Sequence, residues 1–92
     1  MAIALLFELA ELSSEQAAAV LRELDLGGKP APGQLLHVEG PMEGGGTRVV
    51  DVWELEEAFQ AFAQEKLVPL LQQLGVQAPG PRAVWPVTAV LK

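Results

Sequence analysis

Residues Ala2 to Leu9 are apolar except for Glu8, which predicts a central strand covered on both faces. Ser13 and Gln16 form a capping-box pattern, and Ala17, Val20, Leu21 and Leu24 then recur at helical spacing. Gly27 and Gly28 offer a left-handed end to that helix, and Pro30 and Pro32 forbid its continuation. Gln34 to Gly40 alternates as a strand, and Thr47 to Trp53 is rich in β-branched residues. The glycine-rich stretch from Pro41 to Gly46 between them reads as a flexible hairpin connection. A second helix begins near Leu55, with Leu55, Ala58, Phe59 and Phe62 on one face. Pro69 predicts a break or kink before Leu70, Leu71 and Leu74 resume the pattern, and Gly75 closes it. Ala83 to Leu91 is the last expected strand, and Pro86 within it places that strand at a sheet edge.

The element order is β-α-β-β-α-β. With the handedness of crossovers, it predicts a single ferredoxin-like α+β domain over residues 1–92, a four-stranded antiparallel sheet with both helices on one face. The other face is left bare, and for so small a chain a second copy is the commonest cover. Strand alternation separates the two faces. Grouping the more apolar sets puts Leu36, Val38, Val50 and Val52 under the helices together with Ile3, Leu5, Phe7 and Leu9. His37, Glu39, Asp51 and Trp53 are then expected on the opposite, dimer-facing surface, beside Ala4, Leu6 and Glu8.

Composition narrows the chemistry. Half of the 92 residues are hydrophobic and a fifth are charged, as in a globular chain. There is no cysteine and only one histidine, which excludes thiolate chemistry, disulfides and multi-histidine metal sites within one chain. No metal and no cofactor is therefore expected. The net charge is −6 and the basic residues Arg22, Lys29, Arg48, Lys66, Arg82 and Lys92 are scattered, which opposes binding to nucleic acid or to anionic membranes. The apolar start has no basic flank and is interrupted by Glu8 and Glu11, so it reads as a strand and not as a leader. A cytoplasmic location is the corresponding expectation.

Several residue groups have both a chemical and a structural reading. His37 with Asp51 fits an oriented imidazole, in which the carboxylate holds one ring nitrogen and the other exchanges a proton. It fits also a hydrogen-bonded histidine at an interface, the more ordinary reading, because no nucleophile stands beside it. Glu8 and Asp51 on adjacent strands would form a carboxylate pair in a sheltered pocket, or Glu8 is simply solvated. Trp53 and Trp85 are either pocket walls or packing area. The Gly44–Gly46 run joins strand to strand with no helix after it, so it is a hairpin and not a phosphate cradle.

The segment Val49-Val50-Asp51-Val52-Trp53-Glu54, followed by Glu57-Ala58-Phe59, resembles the dimeric α+β barrel superfamily. It is similar in particular to the small antibiotic biosynthesis monooxygenase-like proteins, in which a third strand ending in Trp-Glu runs into a helix with an Ala-Phe pair. The resemblance implies a homodimer whose two sheets close into a barrel, with a cavity between sheet and helices in each subunit. Relatives of this kind include cofactor-independent oxygenases, isomerases, haem-degrading enzymes and regulators. Many monooxygenase-like members carry a histidine nine residues after the strand tryptophan, where this chain has Phe62. Haem-degrading members place a histidine further along the helix, and Val68 to Leu74 contains none. The leading expectation is a homodimer with a mostly apolar pocket for a small organic molecule. His37 and Asp51 would be its candidate catalytic residues, with Glu8, Trp53, Phe62 and Trp85 contributing to the pocket. Cofactor-independent oxygenation or isomerisation is its most natural chemistry, and the alternative is a non-catalytic structural or interaction dimer.

Overall fold

A computed structural model describes residues 1–24 and 26–91; Lys92, one of the scattered bases, lies outside the described residues. The elements follow in the order β1 (Ile3–Leu9), α1 (Ser14–Leu24), β2 (Gln34–Pro41), β3 (Thr47–Trp53), α2 (Glu56–Phe62), a π-helical turn (Ala63–Leu67), α3 (Val68–Gln73) and β4 (Ala83–Pro86). The four strands form one antiparallel sheet in the order β2-β3-β1-β4, which is consistent with a ferredoxin-like arrangement.

Local chemistry explains most boundaries. The capping box closes at both bonds: the Gln16 backbone N–H donates to Ser13 Oγ at 3.1 Å, and the Ser13 N–H donates to Gln16 Oε1 at 2.9 Å. At the far end of α3, Gly75 is left-handed, the Val76 N–H reaches back to the Leu71 carbonyl and the Gly75 N–H to that of Gln72. This is a Schellman cap, and Val76 and Leu71 join the same core cluster as its apolar contact. Gly46, which opens into β3, has φ +93°, and a Cβ there would stand 2.8 Å from the backbone of Leu9 and Ala10. Only glycine suits both the conformation and the space.

Two boundary expectations are corrected. The last strand stops at Pro86 and does not run to Leu91, because proline supplies no ladder donor; β4 does lie at the sheet edge, as that residue requires. Of the break or kink expected at Pro69, no break occurs, and the helical run continues from Glu56 to Gln73. The proline ring crowds the carbonyl four residues back, and the chain widens ahead of it instead, with the Val68 N–H bonded to the Ala63 carbonyl across a π-helical turn.

The core forms in two parts on one side of the sheet. Leu9 packs with Leu12, Ala17 and Val20 around α1 and with Leu71 and Val76 around α3. Leu5, Ala31 and Trp53 pack with Ala58, Phe59 and Phe62 of α2. Both helices therefore cover the face that carries Leu5, Leu9 and Trp53. The register pairs Leu5 with Asp51 and Asp51 with His37; since directly paired residues share a face, His37 and Asp51 lie under the helices too.

This corrects the expected facing of β2 and β3. Leu36, Val38, Val50 and Val52 occupy the opposite face with Ala4, Leu6 and Trp85, where Ala4 and Val52 are buried within the single chain, while the β1 assignment is as expected. Grouping strand positions by hydrophobicity holds where one face is core and the other polar. Here both faces are apolar, and the polar residues of the inner face are paired with one another around a cavity.

Candidate functional site

A cavity of about 650 Å³ opens between the helices and the inner face of the sheet. Its walls are mostly side chains of β1, α1 and the α2–α3 helix, among them Phe7, Leu9, Val20, Leu24, Phe59, Phe62, Leu67 and Leu71. The β2–β3 end is different, for His37, Glu39 and Asp51 all line it. Alternation along β2 places His37 and Glu39, two residues apart, on the same side, and the His37–Asp51 cross-strand pair brings the third group alongside.

The geometry of this group is closed. His37 Nδ1 lies 2.6 Å from Asp51 Oδ1 and Nε2 lies 2.7 Å from Glu39 Oε1. Ionised carboxylates only accept, so both ring nitrogens carry protons and the ring is an imidazolium between two anions. Its pKa is raised from 6.5 to about 9, chiefly by the hydrogen bond to Asp51 and further by Glu39, against the opposing pull of partial burial. Asp51 is itself buried, and its second oxygen accepts a longer bond of 3.3 Å from Trp53 Nε1. Trp53 is completely buried and packs on Phe59 and Phe62 with ring centroids 5.7 and 5.4 Å away. The polar chain is thus anchored at Asp51 to the most buried side chain of the core.

The residues singled out from the pattern of the chain separate into two places. His37, Asp51 and Phe62 line the cavity, and Trp53 backs its aromatic wall. Glu8 and Trp85 do not join them. Glu8 pairs with Arg48 rather than approaching Asp51, and the β1 alternation turns it to the bare face. There Arg48 Nη2 donates to Glu8 Oε2 at 2.8 Å, Arg82 stands 3.6 Å away, and the Arg48 hydrogen bond chiefly holds the Glu8 carboxyl below its ordinary pKa. The expected Glu8–Asp51 pair is therefore corrected: the two carboxylates lie on opposite faces of the sheet. Trp85, opposite Ala4, is on the bare face as well and is 43% exposed, so the two tryptophans do not wall one pocket.

Glu39 and the ring pair Phe7 and Phe59 belong to the site although the sequence reading did not assign them to it. The signal for Glu39 was its position two residues after His37, which fixes its side of the strand whatever the fold. Among the described residues, no group of three or more acidic, histidine or cysteine side chains is arranged to hold a metal ion, and no helix is long and apolar enough to cross a membrane. Compared with known proteins, the chain matches no family model, no curated protein and no solved structure.

Proposed function

We propose that this chain is the subunit of a homodimer of the dimeric α+β barrel kind, in which the sheet–helix cavity of each subunit binds a small organic molecule. The observation that carries this reading is the cavity itself: it has the volume typical of ligand pockets, apolar walls, and one localised polar end at Asp51, His37 and Glu39. Closely packed interiors leave few voids larger than a water molecule, so a space of this size next to charged groups is better explained by a ligand than by imperfect packing.

The dimer rests on the other face. Leu36, Val38 and Trp85 are exposed there at 38%, 54% and 43%, and Val50 and Leu6 lie beside Val38 in the cross-strand register, so apolar side chains run across all four strands of this face. A symmetric copy buries such a surface on itself. The ion pair of Glu8 with Arg48 borders it and supplies a polar rim.

Binding is favoured over base catalysis by His37. A general base must have a free nitrogen in its neutral form, and here both nitrogens are engaged and the ring holds its proton to about pH 9. Titration with the neutral fluorophore N-phenyl-1-naphthylamine tests the pocket. Saturable binding of one molecule per subunit, abolished by Ala63→Trp without change in the circular dichroism, is the expected result; a wild-type protein that binds none of it sinks the reading. Light scattering tests the dimer separately, and a monomer at micromolar concentration contradicts it.

A further inference from the structure

The polar end of the cavity has an imbalance that selects among ligands. One imidazolium faces two carboxylates, so the cluster retains a surplus of one negative charge. Its donors are consumed: each ring N–H already points at an oxygen. Its acceptors are not, because Glu39 Oε2 has no hydrogen bond among those of the described residues, and Asp51 Oδ2 accepts only the 3.3 Å bond from Trp53. A ligand group arriving there can donate but finds little to accept from. The other polar residues of the lining are Lys29, on the exposed turn after α1, and Gln34, whose Oε1 accepts from the Ala31 N–H and whose amide nitrogen can donate; neither is hydrogen-bonded to the His37 group.

A second feature acts in the same direction. Phe7, Phe59 and Phe62 line the cavity, with Phe7 and Phe59 in ring contact at 5.8 Å and both Phe59 and Phe62 against Trp53, whose indole is bonded to Asp51. The faces of such rings carry partial negative charge and attract cations, most strongly out of water. Surplus acceptors and surplus negative charge thus stand at one end of the cavity, and the aromatic part of its wall is joined to that end through Trp53.

We infer that the cavity takes an organic amine with an apolar body, its ammonium group seated against Glu39 and Asp51 and its hydrocarbon part along the helices. The inference rests on the reading of the cavity as a ligand site. An apolar carboxylic acid of the same size is disfavoured, since its charge would face the cluster's surplus negative charge and find no free donor on it, in a space partly shielded from water.

A matched series decides it: 4-phenylbutylamine, 4-phenylbutan-1-ol and 4-phenylbutanoic acid, each displacing N-phenyl-1-naphthylamine at pH 7. The amine is expected to bind about tenfold more tightly than the alcohol, with the acid weakest. In Glu39→Gln, which keeps an oxygen for His37 and removes the surplus charge, the amine-to-alcohol affinity ratio should fall by about tenfold; loosening of the pocket weakens both ligands and leaves the ratio in place. An acid that binds as tightly as the amine overturns the amine assignment while the pocket reading stands. So does a ratio untouched by Glu39→Gln. Failure of the neutral fluorophore to bind the wild-type protein overturns both.

Discussion

On the inner face of the sheet, Leu5, Leu9 and Trp53 meet the helices, while His37, Glu39 and Asp51 hold one another at a cavity edge. On the outer face, Leu36, Val38, Val50 and Val52 carry no polar partner until the Glu8–Arg48 pair at the end of the sheet. The polar residues are therefore on the side that is already covered. This arrangement is affordable only because each carboxylate of the group lies at hydrogen-bond distance from the one imidazolium, which offsets much of the cost of taking the charges out of water. The outer face needs no such compensation and is correspondingly simple. A sheet that binds a molecule on one side and a copy of itself on the other would be divided in this way.

The difference between the faces can be broken most severely from the inside. Trp53→Ala removes a large side chain with no exposure at all and leaves Asp51 without its indole partner. A loss of about 3–5 kcal/mol is expected, read from the urea unfolding curve, and for so small a domain that approaches complete unfolding. Val38→Asp attacks the outer face instead. Val38 is more than half exposed in the single chain, so the fold should survive with its circular dichroism unchanged, while the dimer dissociation constant rises by about a hundredfold or more. Sedimentation that still shows a dimer for Val38→Asp would mean that the copy does not sit on this face.

The smallest expected effect is a pH dependence confined to the inner face. His37 has a folded pKa of about 9 against an ordinary 6.5, so the folded state prefers the charged ring. That contribution to stability is fully present below about pH 6.5 and is lost as the pH rises through about 9. Urea midpoints measured from pH 6 to 9.5 should therefore fall more steeply for the wild type than for His37→Gln. Equal slopes would show that the ring does not hold its proton in the fold.

Much of this organisation was legible along the chain. The capping box at Ser13 and Gln16, the hairpin after Pro41, the end at Gly75 and the edge position of the strand with Pro86 each follow from a residue whose conformational preference is local. The pairing of His37 with Asp51 followed from alternation in two strands separated by a hairpin. What alternation does not carry is the choice of side. Period two divides a strand into two sets, but β1 is apolar in both sets, so nothing in it told which β3 set was its neighbour. Trp53 held the missing signal: the largest aromatic of a small domain, followed by Phe59 and Phe62 on the next helix, belongs where those rings can meet it. The expected pair of Glu8 with Asp51 failed for the same reason, because it needed Asp51 on the face that carries Glu8.

The π-helical turn at Ala63–Leu67 has a consequence for how the cavity wall can vary. Upstream of it Phe59 and Phe62 face the sheet, and downstream Leu67, Leu70 and Leu71 do, yet no single α-helical phase joins the two sets. The turn holds one residue more than an α-helical turn would, like a slipped tooth between two gears that each mesh correctly. A residue gained or lost inside this turn re-times only the half of the wall that follows, leaving the aromatic half at its station against Trp53. The length of chain from 63 to 67 is thereby a tuning position for the shape of the cavity, separable from the residues that give it its polarity.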